Sequence, residues 1–244
     1  MVLLAHIRSQ FVLSYETYGS PRMHVELCED GVPVGRHRVA RLMRDNNLKA
    51  LQKRRYKQTT DSDHGGLVAP NLLDQDFSCD GPDQKWGVDN SYVWTREGWL
   101  YLAIVLDLYS RRIIGWETSD RLTKDLAITA LKRAIVTRQP PPGLIPHSDR
   151  GSQNCSYDIR RLLAANGMQS SMSSKGNCYD NSMVETVFKT IKSELVWRTS
   201  FQTLQQATNA LGRYIEGFYN PIRRNSALAY KSPTKFEAAM AETE

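Results

Sequence analysis

From Trp99 to Leu108 the chain reads Trp-Leu-Tyr-Leu-Ala-Ile-Val-Leu-Asp-Leu, a nearly continuous apolar run with a single charge near its end. A run this short, without in-and-out alternation, predicts a strand buried on both faces. Upstream, Trp86 to Thr95 mixes aromatic and β-branched residues and ends at the turn-like Arg96-Glu97-Gly98, a second strand. Arg111 to Glu117 makes a third after a short turn, so three consecutive strands form a meander. Thr123 to Arg138 then has a helical pattern, with Thr123 as N-cap and Pro140-Pro141-Pro142-Gly143 as its stop. Leu144 and Ile145 are short strand material that leads to Asp149.

The clearest periodicity follows. Val184, Val187, Phe188, Ile191 and Leu195 make one apolar helical stripe, with Asp180 expected as N-cap. Glu185, Lys189 and Lys192 fall together beside it, at i, i+4 and i+7. A plain exposed ion pair between Glu185 and Lys189 is the bland account of that face. Ahead of the helix, Ser173-Ser174-Lys175-Gly176-Asn177 reads as a polar loop in which Lys175 either meets a phosphate or is ordinary surface. Leu204 to Tyr219 predicts another amphipathic helix, stopped at Tyr219-Asn220-Pro221.

Asp89, Asp149 and Glu185 are carboxylates on three different predicted elements, the last two separated by 35 residues. Their spacing suits a two-metal phosphoryl-transfer site. Hard divalent cations take oxygen ligands, and two of them about 3.5 to 4 Å apart stabilise both the attacking and the leaving oxygen of an in-line displacement at phosphorus.

Charge is uneven along the chain. Residues 1–60 hold 11 Lys/Arg against 5 Asp/Glu, while the remainder balances at 21 against 21. The excess of basic charge in this first piece favours contact with a phosphate backbone. Within it, Met23 to Cys28 and Gly35 to Asn46 predict two helices around an Asp30-Gly31 turn, a helix-turn-helix. Val39, Leu42 and Met43 would face inward, and Arg38, Arg41 and Arg44 outward; a solvated basic helix without groove contact is the alternative. Lys53, Arg54 and Arg55 look like a phosphate-binding arm. Residues 61–82 read as a linker, which gives a basic domain over 1–60, a core over 83–197 and a C-terminal helical extension over 198–244.

Other features have structural explanations. Cys28, Cys79, Cys155 and Cys178 lack paired spacing, so neither a disulfide framework nor a zinc site is indicated, although His24, Cys28 and His37 together are a conceivable one. His147 is expected to orient its loop by a hydrogen bond, Asp107 to be a hydrogen-bonded structural acid, and Trp86, Trp99 and Trp116 to be core aromatics. No stretch is long and apolar enough to span a bilayer, and Val2-Leu3-Leu4-Ala5 is too short for a signal peptide, so a cytoplasmic protein is expected.

Several stretches carry a resemblance: Trp86 to Tyr92, Trp99 to Asp107, Ser110-Arg111-Arg112-Ile113-Ile114-Gly115-Trp116, His147 to Gln153, Gly176 to Asn181, Tyr214 to Asn220, and Arg223 to Leu228 with Ser232-Pro233. Together they cover nearly the whole chain, which resembles the DDE transposases of bacterial insertion sequences, the second-reading-frame products of the IS-three group, similar in their core to retroviral integrases. The resemblance implies a ribonuclease-H-like α/β core with a mixed five-stranded sheet. It also implies that Asp89, Asp149 and Glu185 hold two Mg²⁺ or Mn²⁺ ions and that Lys192 contacts transposon-end DNA. Asn90-Ser91 departs from the usual β-branched residue and threonine after the first aspartate. The partners implied are DNA, both terminal repeats and target, further copies of the chain on that DNA, and an upstream reading-frame product. For the extension containing Arg223 and Arg224, a position near the active face and contact with DNA are implied. A nuclease or resolvase on the same core, and a DNA-binding regulator with a degenerate core, remain the rival readings.

Overall fold

The computed structural model describes residues 2–50, 69–151, 156–174 and 178–242. The predicted meander is present as β1 (Lys85–Thr95), β2 (Gly98–Asp107) and β3 (Ile113–Ser119), all antiparallel. After α4 (Lys124–Arg138) the chain returns as β4 (Ile145–Ser148), parallel to β1 on its other side. A second helix, α5 (Tyr157–Ala165), leads to the two-residue β5 (Ser171–Met172), parallel to β4. The sheet order is β3-β2-β1-β4-β5, a mixed five-stranded sheet as expected.

The apolar run behaves as its composition requires. Leu100, Leu102, Ile104 and Leu106 of β2 enter one core, and Ala103 and Val105 enter the other. The first core is covered by α6 (Ser182–Glu194) and α7 (Leu204–Tyr214), the second by α4 and α5. Close cover needs small residues. A Cβ on Gly115 of β3 would stand 2.3 Å from the Ala130 carbonyl oxygen of α4, so only glycine lets that helix, with Ala127, Ala130 and Ala134 buried, lie so near the strand.

The N-terminal segment forms three helices, α1 (Val2–Leu13), α2 (Ser20–Glu29) and α3 (Arg36–Asp45). The last two are the expected pair. Val39 and Met43 point inward with Leu42 partly buried, whereas Arg38, Arg41 and Arg44 are exposed. The first helix leaves little trace in the sequence, because its buried residues Ile7 and Phe11 are a thin stripe among exposed Val2, Val12 and Leu13. All three helices contribute to the same apolar core as Tyr214, Phe218 and Tyr219 near the other end of the chain.

Three expectations need correction. Residues 61–68 lie outside the described part, but the rest of the expected linker packs onto the sheet edge. Met172 donates its backbone N–H to Pro70, Leu72 donates to the Ser171 hydroxyl, and Ala69 and Leu73 are buried. Asp180 is not the N-cap of α6; that position is Asn181, and Asp180 is buried just ahead of it, accepting from the Asn71 amide and the Ser174 backbone N–H. Trp99 is not a core residue, since it lies on the uncovered end of β2 and is 46% exposed; Trp86 is fully buried and Trp116 partly so. The C-terminal extension ends in α8 (Pro233–Ala241), anchored by Glu237 to Arg112 and Arg138.

Candidate active site and nucleic-acid interface

Asp89 sits in the middle of β1, Asp149 one residue past the end of β4, and Glu185 in the first turn of α6. Two features of the chain bring these elements together. The parallel pairing of β4 with β1 runs from Lys85 to Val88, so the chain leaves β4 beside the position where Asp89 follows. Gly87 does the same for the helix: a Cβ there would stand 2.3 Å from Val184 Cγ2, and its absence seats α6 directly on β1, next to Glu185.

The result is electrostatic crowding at Asp89. Burial, then repulsion from Asp149, then repulsion from Glu185, hold its carboxyl well above the usual carboxylate range; the Asn90 backbone N–H and Lys192 act the other way. Asp149 and Glu185 are thus both near enough for Asp89 to feel their charge. Asp149 also accepts the Gly151 backbone N–H at 3.0 Å, which fixes the turn out of β4. Glu185 forms a 3.3 Å ion pair with Lys189, the i, i+4 pair expected of that face.

The loop geometry is set from below by His147. It is buried, with Nδ1 2.8 Å from the Ser171 hydroxyl and Nε2 3.1 Å from that of Ser173, so it ties β4 to β5 as an orienting hydrogen-bond residue. Burial pushes its pKa down to about 4, against the pull of Asp180 and Asp149, and the ring is neutral at neutral pH. Asp107 is likewise structural, fully buried and accepting from Ser110 and from the Asp83 backbone N–H.

The three carboxylates suit a hard divalent cation by their chemistry. They offer oxygen donors only, and their mutual repulsion is what a cation relieves. Among the described residues, no three Asp, Glu, His or Cys side chains already form a closed ion-holding group. The conceivable zinc site of His24, Cys28 and His37 is not formed either; Cys28 Sγ lies 3.6 Å from His24 Nε2, a single local contact.

The basic residues divide sharply. Arg38, Arg41 and Arg44 line a shallow concave surface on α3 with His37 and Ala40. Lys189 is exposed, while Lys192 is half-buried with its ammonium 4.7 Å from the Tyr92 ring centre. Lys53, Arg54, Arg55 and Lys175 lie outside the described residues.

Arg223 and Arg224, by contrast, are buried, which corrects their expected place in a DNA-facing extension. Arg223 donates to both oxygens of Glu194 at 2.6 and 2.7 Å, and Tyr214 donates its hydroxyl to the same carboxylate. Arg224 reaches Glu26 and Glu29 of α2, and its backbone N–H donates to the Tyr18 hydroxyl. The pair fastens the N-terminal helices to the rest of the molecule. Sequence reasoning misses this because partners almost 200 residues apart leave no local pattern.

The family model for an integrase core domain matches residues 80–178, a second integrase core model matches 166–233, and an HTH-like domain matches 2–56. The chain is 45% identical over 235 residues to the insertion element IS600 uncharacterized 31 kDa protein of Shigella sonnei, across 96% of this chain and 85% of that protein. It is 41% identical over 231 residues to the transposase InsF for insertion sequence IS3A of Escherichia coli (strain K12), across 95% of this chain and 80% of the relative. Among solved structures, the fold is similar to a simian T-cell lymphotropic virus intasome chain, with TM-score 0.53 and 14% identity over 88% of this chain and 70% of that one. It is also similar to the HTLV-2 integrase catalytic core domain solved with magnesium in a trimeric form, with TM-score 0.50 and 15% identity over 66% and 99%. The chain therefore belongs to the IS3 family of insertion-sequence transposases, polynucleotidyl transferases that act in DNA transposition and integration through an integrase-type core.

Proposed function

We propose that Asp89, Asp149 and Glu185 are the catalytic carboxylates of this transposase and would hold two divalent ions, Mg²⁺ or Mn²⁺. The observation that carries this reading is the convergence on Asp89: acids from the end of β4 and the start of α6 both raise its pKa, although neither is its neighbour in sequence. When bound, the metal supplies activation of the attacking hydroxyl and charge compensation at the leaving 3′ oxygen. The remaining work belongs to the chain. The three carboxylates would hold the ions at one place on the sheet, and His147 keeps the Asp149 turn in register. Lys189 and Lys192 hold backbone phosphates near the reacting bond, with Lys175 on the strand beyond. Cleavage and joining then proceed by successive in-line displacements, water first and a DNA 3′-hydroxyl second, without a covalent link to protein.

End recognition falls to the N-terminal basic piece. Arg38, Arg41 and Arg44 face the DNA, and Lys53, Arg54 and Arg55 extend the contact along the phosphates. We assign residues 1–60 to this module, 61–82 to the connection, 83–197 to the catalytic core and 198–244 to the C-terminal extension. The working form is a homo-oligomer assembled on the element's terminal repeats in the bacterial cytoplasm, at the nucleoid, joined by the product of an upstream reading frame.

The test is a gel assay for Mg²⁺- or Mn²⁺-dependent nicking and joining of labelled DNA carrying the element's ends, with wild type and Asp149→Asn. Joined product from wild type and at least a thousandfold loss in the variant are expected, on the order of a removed metal-centred step. Equal joining by both proteins overturns the assignment of Asp149. Cleavage without joining, in the chain alone and when fused to its upstream reading frame, overturns strand transfer in favour of hydrolysis.

A further inference from the structure

Beyond Val88, β1 is no longer paired with β4, and the end of the β1–β2 hairpin is buried on one face, by Val93 and Leu100, and open on the other. Its end carries a cluster of aromatic rings. Trp94 and Trp99 face each other across the two strands with ring centres 4.8 Å apart at 70°, and Tyr92 meets Trp99 edge-on at 5.0 Å and 88°. Trp94 is 57% exposed and Trp99 46% exposed, whereas the other three tryptophans are buried or partly buried. Large apolar rings left in water at a strand end contribute little to folding, whereas stacked indoles bring considerable apolar area to a ligand.

The hairpin tip is held by backbone contacts. Arg96 donates its backbone N–H to Phe201, Thr95 is bridged to Phe201, and Glu97 accepts the Leu204 backbone N–H, so the hairpin tip is pinned to the start of α7. It is also charged in a particular way. Lys192 places its ammonium over the Tyr92 ring while remaining within electrostatic reach of Asp89. Strand alternation puts Asp89 and Tyr92 on opposite faces, so Lys192, arising from the helix on the Asp89 face, passes the open edge of β1 to reach the ring. A cation and a set of exposed ring faces thus meet about 10 Å along β1 from Asp89, three residues away at roughly 3.3 Å each. Arg96, exposed at the turn, adds a second positive charge.

We propose that Tyr92, Trp94 and Trp99 form a stacking platform for unpaired nucleobases of the DNA strand being processed, with Lys192 and Arg96 on its phosphates. A nucleotide is the ligand that presents a π face and an anionic backbone together, which matches this surface in both shape and charge. Stacking on aromatic side chains is tolerant of sequence, so the platform holds a frayed end near Asp89 without reading it. The inference rests on the assignment of Asp89 to the catalytic site.

The test uses oligothymidylate carrying 5-iododeoxyuridine, so the element's own ends are not needed. Wild type, the Trp94→Ala/Trp99→Ala double variant and the Trp94→Phe/Trp99→Phe double variant are compared for single-strand affinity, duplex affinity, photocrosslink position and sedimentation. The expected result is a crosslink to Trp94 or Trp99 and a loss of about tenfold or more in single-strand affinity with alanine. Phenylalanine should restore most of that affinity, duplex affinity should stay unchanged, and the phenylalanine protein controls for folding. Crosslinks elsewhere, or alanine variants that bind single strands as tightly as wild type, overturn the proposal. So does a shift in self-association with single-strand binding intact, which makes the surface a face between copies. Metal-dependent joining, run on the same preparations, separates the two readings: joining without stacking sinks only the platform, and stacking without joining sinks only the catalytic assignment.

Discussion

Arg38, Arg41 and Arg44 on α3 and the Arg223-Arg224 pair beyond α7 look alike as sequence, short basic clusters in helical surroundings, yet they occupy opposite environments. The first three project into water, and among the described residues their one ion pair is Arg44 with Asp45 at 3.8 Å. The second two are buried against Glu194 and against Glu26 and Glu29. What separates them is the supply of carboxylates in three dimensions. Arg224 engages two of the five acids that the N-terminal piece contributes, so that segment's outward face is more positive than its composition suggests. One buried arginine therefore helps set the charge that the exposed arginine group displays.

The contrast breaks most visibly at Arg223. Its side chain and that of Glu194 are each 7% exposed, so Arg223→Ala strands a buried carboxylate and should destabilise the fold by about 3–5 kcal/mol. Denaturant unfolding measures this; a change below about 1 kcal/mol would show that the ion pair is replaceable. The Arg38→Ala/Arg41→Ala/Arg44→Ala variant should do the reverse. Its stability should stay within about 0.5 kcal/mol, as expected for surface substitutions. Its DNA affinity should fall, with the salt dependence of binding weakened by close to one unit of log-log slope for each phosphate no longer neutralised. An unchanged slope in salt titrations would remove these residues from the interface.

The smallest effect is a pH dependence of the N-terminal docking. The Arg224 guanidinium holds the Glu29 carboxyl below its ordinary value, against the opposing effect of burial. A depressed carboxylate stabilises fully above its unfolded pKa and loses that contribution as pH falls through the folded one. Amide exchange in α2 should therefore accelerate as pH drops below about 4, after correction for intrinsic rates, and Glu29→Gln should flatten that response. Glu29 is half exposed, so solvent screening keeps this effect small.

The parts of the fold legible in the sequence are those with local periodicity. The run of β2, the stripe of α6 and the Gly35–Asn46 helix each carry their burial in neighbouring residues. Of the proposed site, Asp89, Asp149 and Glu185 are singled out by the segments around them, whereas the charge that Asp149 and Glu185 bring to Asp89 follows from where β4 and α6 meet β1. The errors share one cause. Asp180 as an N-cap, Trp99 as a core ring and residues 69–82 as part of a linker rest on adjacent residues, and Arg223-Arg224 as DNA-facing rests on family resemblance, whereas the true placements depend on neighbours far away in sequence. Asp180 meets Asn71, Leu72 meets Ser171, and Arg224 meets Glu26.

The fastening of Tyr18 to Arg224 also has a consequence during synthesis. The two residues are 206 positions apart, and the apolar side of α1 to α3 shares its core with Tyr214 and Phe218. A ribosome adding about 5–20 residues per second needs roughly 10–40 s to cover that interval. For much of it, Ile7, Phe11, Met23 and Leu27 have left the exit tunnel while the surface that completes their shelter has not been made. Over that interval the nascent chain carries a sticky, basic module awaiting closure, a window open to chaperones and to nucleic acid.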